Sequence, residues 1–156
     1  MGGVEESEDR FPSRIEGKPT WLLARAYTRS VGLMAAGFAA SGTGLRSYHY
    51  RLLAALDEWG VASQADLGRG TRMDRKDVAG AIAELERRGF VARSVDPDDR
   101  RRNIVTITDD GRRQLPVLDE VIESIQQQVL ARLSPAESEQ FFHIMRRLTQ
   151  DEADDS

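Results

Sequence analysis

The chain has 156 residues, 40% of them hydrophobic, 31% charged and 6% aromatic, with no cysteine and a formal net charge of −4. That length suits one domain, and the apolar share is too high for wholesale disorder. Without cysteine, disulfides, thiolate metal sites, a cysteine nucleophile and thiol redox sensing are all excluded.

The negative total conceals an uneven distribution. Residues 1–17 carry five acids and two arginines, 151–156 carry four acids, and the body 18–150 keeps 20 basic against 17 acidic residues. Arginine supplies 20 of the 22 bases, the side chain whose planar fork matches phosphate and guanine. Arginine-rich codon usage explains that count equally well, so position along the chain carries more weight. The stretch Val31 to Ala40 is about half the ~20 residues of a membrane span. The acidic start, Met1 to Glu6, is unlike a signal peptide, so a cytoplasmic protein with no membrane partner is expected.

In chain order, residues 1–17 read as a flexible acidic tail, and 18–44 as a first region whose helix, from about Trp21 to Ala40, opens after Pro19-Thr20. Gly42-Thr43-Gly44 breaks it; with no strand before it and Ser47 at the third glycine position, it is a loop rather than a dinucleotide fingerprint. A second helix spans about Arg46 to Glu58, with Tyr50, Leu53 and Leu56 at helical spacing before Gly60. Ser63-Gln64-Ala65-Asp66 has the form of a capping box and starts a short third helix. Asp74-Arg75-Lys76-Asp77 starts a fourth, whose Val78, Ala81, Ile82 and Leu85 form one apolar stripe before Gly89. The period then changes to two. Phe90 to Val95 and Asn103 to about Thr108 read as strands around an Asp96-Pro97-Asp98-Asp99 turn. A long helix follows from Thr108 to about Leu133, and Ser134-Pro135-Ala136-Glu137 caps a last one to about Leu148. Residues 151–156 read as a second acidic tail.

Two short helices joined by a glycine-containing turn and followed by a basic hairpin have the order of a winged helix-turn-helix. The expected fold is mainly α with a small β-hairpin (α+β), the winged region at 45–108 flanked by helices at 18–44 and 109–150. With Val78, Ile82 and Leu85 inward, Lys76, Gly80, Ala83 and Arg87 lie on the opposite side of the fourth helix. That side is small in its middle and basic at its ends. It can sit close to base edges, with alanine available to a thymine methyl and Arg72, Arg75 and Lys76 at the end that enters the major groove. The hairpin tip carries Arg100-Arg101-Arg102, three charges that repel unless an anion is near; a loop neutralised by Asp96, Asp98 and Asp99 is the competing reading. The candidate DNA contacts are Ser63, Gln64, Thr71, Arg72, Asp74, Arg75, Lys76, Ala79, Gly80, Asp99, Arg100, Arg101 and Arg102.

From Gly44 to Gly111 these residues resemble the MarR family of winged-helix transcriptional regulators. The resemblance rests on Gly44-Leu45 with Tyr50, Leu52 and Leu53, on Leu85 to Val91, on Asp96 to Arg101, and on Ile107-Thr108-Asp109-Asp110-Gly111. It implies a homodimeric, sequence-specific double-stranded-DNA-binding regulator, usually a repressor, released from its operator by a small ligand. It further implies that Arg101 enters the minor groove, that Asp99 orients it, and that the start of the 75–88 helix reads the major groove. Ala79 and Gly80 depart from the longer polar residues often found there, which shifts expected base specificity towards Arg72, Arg75 and Lys76.

The long helix carries Leu118, Ile122, Ile125, Val129 and Leu133 in one stripe, and the last helix adds Phe141, Phe142 and Met145; a homodimer interface is expected there, with a self-contained helical subdomain as the competing reading. Two-fold symmetry then predicts a pseudo-palindromic operator with half-sites ~34–36 Å apart. Where the flanking helices meet the winged region, Trp21, Arg25, Tyr27, Tyr48 and His49 are the candidate ligand residues, an inventory suited to an aromatic anion. The only histidines, His49 and His143, stand on different helices, so no metal site is expected, and no cofactor motif appears. No catalytic spacing supports an enzyme. A winged-helix protein-interaction module without ligand sensing is the alternative.

Overall fold

The computed structural model describes residues 11–150; the acidic segments 1–10 and 151–156, expected as tails, lie outside the described residues. Residues 11–17 fall within the expected first tail but contain a helical turn, α1 (Ser13–Glu16), and Phe11 packs edge-on against Trp21 with 5.3 Å between ring centroids. The helix α2 (Pro19–Ala40) has proline at its first position, where the missing N–H costs nothing. After the glycine loop come α3 (Ser47–Trp59), the strand β1 (Val61–Ser63), α4 (Gln64–Thr71) and α5 (Arg75–Arg87). The hairpin strands β2 (Val91–Val95) and β3 (Asn103–Ile107) precede α6 (Asp109–Leu130) and α7 (Pro135–Thr149).

Capping side chains set four of these helix starts. Ser63 accepts from the Asp66 amide at 3.1 Å, Asp74 from Asp77 at 2.8 Å, Thr108 from Gly111 at 3.1 Å and Ser134 from Glu137 at 3.3 Å. Each such cap stabilises its helix by ~1 kcal/mol. Gly89, at φ +76°, ends the approach from α5 in a left-handed turn that a side chain would strain. The sheet is antiparallel with order β1-β3-β2, and β1 pairs Ser63 with Ile104 and Val61 with Thr106. The strand β1 was not foreseen, because three residues are too few for alternation to register.

The core is centred on α3, whose Leu52, Leu53 and Leu56 are fully buried. Val78, Ala81, Ile82 and Leu85 of α5 are all buried against it, as the helical spacing predicts. Each large member contributes ~1.5–3 kcal/mol. The helix α6 joins the same core. Leu118 and Ile125 are completely covered, and a Cβ placed on Gly37 of α2 would stand 2.5 Å from the Ile125 side chain. This corrects the interface assignment for both residues: α2 and α3 close over the α6 stripe, so its centre is used within the chain. Ile122 and Val129 pack partly against the core, while Leu133 lies beyond the end of α6 and is exposed. In contrast, α7 has no buried residue. Among the described residues, no helix is long and apolar enough to cross a membrane.

Candidate DNA interface and ligand cleft

The outer face of α5 is built as the stripe on its inner face requires. Arg75, Lys76, Gly80 and Arg87 are exposed, and Ala79 and Ala83 half-buried, leaving a shallow strip between basic ends. The turn before it is made by Arg72, the one non-glycine residue at positive φ (+53°) among those described, which places its exposed side chain at the foot of α5. The Asp74 cap is held below the usual carboxylate range, chiefly by the Asp77 amide. Two expected contacts are turned inward. Thr71 is buried and its hydroxyl donates to the Leu67 carbonyl at 2.6 Å, and Ser63 is buried with its hydroxyl 2.6 Å from Asp66. Both side chains serve α4 rather than facing outward; Gln64 and Asp74 stay at the accessible helix starts.

In the hairpin, the tip is ordered from within. The Asp98 amide donates to Asp96 at 2.9 Å and the Arg101 amide to Asp99 at 3.0 Å. Among the described residues the Arg101 guanidinium pairs with Asp99 alone, at 3.4 Å, and it is 92% exposed. Arg100 is exposed, with no ion-pair partner among the described residues. Arg102 differs: its Nη2 donates to Asp66 of α4 at 2.6 Å. Arg69, Arg75, Arg101 and Arg102 border a cleft of about 580 Å³ between the wing and the start of α4. At the wing's base, Glu86 pairs with Arg93, which lowers the carboxyl and raises the guanidinium in pKa, mainly through their hydrogen bond. Sequence spacing gave no sign of either cross-element pair.

A second cleft, of about 690 Å³, opens where α2, α3 and α6 meet. Tyr27, Met34, Tyr48 and Tyr50 supply apolar and ring surface, and Arg46 and Arg51 supply cations. Of the five ligand candidates only Tyr27 and Tyr48 line it. Trp21 and Arg25 stand elsewhere on α2, where the Arg25 guanidinium covers the Phe11 ring at 4.4 Å. His49 is buried beneath Tyr48, their rings 4.3 Å apart. Its Nδ1 accepts the Arg46 amide at 3.0 Å, and its Nε2 lies 3.2 Å from Glu84 of α5, close but without hydrogen-bond alignment. Burial lowers the His49 pKa against the opposing pull of Glu84. The same Glu84 pairs with Arg88, whose guanidinium also donates to the Thr43 and Gly44 carbonyls, so α5 is tied to the loop after α2. Among the described residues no group of three or more metal-ligating side chains comes together.

Comparison with known proteins places this geometry among regulators. The sequence model of the MarR family matches residues 45–102. The HTH-type transcriptional repressor NicR of Pseudomonas putida is 28% identical over 140 residues, covering 90% of this chain and 87% of that protein. The crystal structure of a probable transcriptional regulator from Pseudomonas aeruginosa is similar at 36% identity, with a TM-score of 0.76, over 86% of this chain and 99% of that one. BpsR of Bordetella bronchiseptica, solved in work on the regulation of its DNA binding by 6-hydroxynicotinic acid, is similar at 30% identity and a TM-score of 0.78, over 90% of this chain and 99% of that one.

Proposed function

We propose a function that starts from kinship: this chain belongs to the MarR family and is a winged-helix, DNA-binding transcriptional regulator. It acts as a homodimeric repressor on a pseudo-palindromic operator and is released by a small aromatic anion. The α5 strip meets the major groove, with Arg72, Arg75 and Lys76 at its leading end and Ala79 and Gly80 allowing close approach. Arg101, steadied by Asp99, enters the adjoining minor groove, where negative potential attracts arginine.

The observation that carries the ligand reading is the cleft between α2, α3 and α6, where tyrosine rings stand beside Arg46 and Arg51. Rings stack on a flat ligand, and guanidinium forks match a carboxylate. The reading is supported by BpsR, whose DNA binding is regulated by an aromatic carboxylate, and by the repressor name of NicR. The dimer reading draws on α7, where Phe142 is 48%, Ile144 52% and Leu148 61% exposed, and on Leu22 and Leu23 at the start of α2. Large apolar side chains left exposed on both helices suit an association surface.

A mobility-shift titration of the full chain on the intergenic DNA upstream of its own gene tests the proposal, with aromatic carboxylates added to the complex. The expected result is a specific shift that weakens steeply with salt and is reversed by one of these acids. No shift on any duplex would favour the protein-interaction module; a shift indifferent to every acid would remove the sensor role.

A further inference from the structure

We propose that Asp66 is a positioning residue for DNA binding: through Arg102 it fastens the wing to the first helix of the helix-turn-helix, so that Arg100 and Arg101 meet the duplex as a preset pair. The inference rests on the DNA-binding reading above.

Three consecutive arginines at the tip occupy different surroundings. Arg102 donates to Asp66 Oδ2 at 2.6 Å and holds its Nε 3.9 Å from Asp96 Oδ2, while Arg101 is almost wholly in solvent. The Arg102 carbonyl also accepts the Asp96 amide at 2.8 Å, closing the hairpin at the same residue. The three-stranded part of the sheet ends at the Ser63–Ile104 pair, and the β2–β3 ladder at Val95–Asn103. Residues 96–102 therefore project past the ladder, and among the described residues the Arg102–Asp66 ion pair joins that projection to the helical body.

Asp66 suits the task because its own place is set independently. Its Oδ2 accepts the Ser63 hydroxyl at 2.6 Å and the Ser63 amide at 3.3 Å, and its Oδ1 accepts Arg69. The Ser63 hydrogen bond is the main cause that keeps this carboxyl ionised below its usual range, with Arg102 and Arg69 adding to it. An anchor fixed by the start of α4 thus restrains a long side chain from 36 residues away. Ordering the tip before DNA arrives removes an entropic cost from binding, and losing that order costs about tenfold in affinity.

The test is a titration of the full chain at several salt concentrations on duplex DNA that the wild type selects from a random-sequence pool. Wild type, Asp66→Asn, Arg102→Gln and the double variant are compared, each with a thermal melt. Each single change is expected to weaken binding about tenfold and the double change no further, with the salt slope of the wild type retained. Arg102→Gln should melt as the wild type does; Asp66→Asn melts lower because it also weakens the α4 start, so Arg102→Gln alone can decide the matter. The proposal is overturned if Arg102→Gln binds as the wild type, or if it lowers the salt slope by about one, which would make Arg102 itself a phosphate contact. Tighter binding by Asp66→Asn would overturn it too, as the mark of a carboxylate that competes with DNA. A wild type that selects no duplex would instead sink the regulator reading, and this proposal with it.

Discussion

Replacing Gly80 by alanine should make the protein more stable and a poorer DNA binder. Gly80 lies mid-way along α5 with ordinary helical backbone, and a Cβ built there meets nothing within 4 Å. The substitution therefore relieves the helix penalty of glycine without any clash, a gain of ~0.8–1 kcal/mol. For a chain of this size that raises the melting temperature by roughly 2–4 °C. On DNA the sign reverses. If the strip of Ala79, Gly80 and Ala83 rests against base edges, one added methyl holds the helix away. The loss is then on the scale of a mismatched base pair, ~1–3 kcal/mol, or roughly fivefold to more than a hundredfold in affinity. Circular-dichroism melting and fluorescence anisotropy on one preparation read both effects. A variant that melts higher yet binds as tightly as the wild type would show that the middle of α5 does not approach the duplex, and the docking geometry would fall.

Arg101→Ala should leave the melt within about 0.5 kcal/mol, since the side chain is almost wholly exposed, while operator affinity falls and the salt slope drops by about one; an unchanged titration would remove the wing from the interface. Phe142→Glu should keep the protomer folded and shift sedimentation from dimer to monomer, and an intact dimer would show that α7 is not in the seam. Ile125→Ala, by contrast, should cost ~2–5 kcal/mol of stability through a cavity facing Gly37, measured by urea unfolding. Acidification provides a fourth check. His49 is buried neutral with its pKa lowered, so the unfolded chain takes up a proton near pH ~6.5 that the folded chain refuses. The stability it contributes is complete above that pH and is lost as pH falls through it towards the folded value. His49→Asn, whose side chain can still accept the Arg46 amide, should flatten this loss between pH 7.5 and 5.5, and an unchanged pH dependence would assign it to another group.

Local signals in the sequence account for most of the element order. Ser63, Asp74, Thr108 and Ser134 are capping residues whose chemistry acts within three residues, and the structure uses each as such. The α5 stripe was legible because one face of that helix meets a single core. The α6 stripe misled for the complementary reason. Its apolar spacing shows that Leu118 and Ile125 must be covered but not by what; the cover comes from α2 and α3, with Gly37 of α2 set against Ile125. Long-range pairing was equally silent. Arg102 with Asp66, Arg93 with Glu86 and His49 with Glu84 join residues that share no periodic pattern. Residue type alone also could not separate Tyr48, which faces the cleft, from its neighbour His49, which faces the core.

The lack of any buried residue in α7 has a consequence for how the molecule behaves on dilution. A helix of 15 residues is marginal in water by itself, whatever its capping. If α7 lies in the proposed dimer seam, its order is drawn from the second copy of the chain, and mass action makes that order a function of how much protein is present. Below the dissociation constant, residues 135–149 should fray first, with amide protons exchanging freely there while the winged region stays protected. The melting temperature should climb with the logarithm of concentration, tying occupancy of DNA to the abundance of the chain itself.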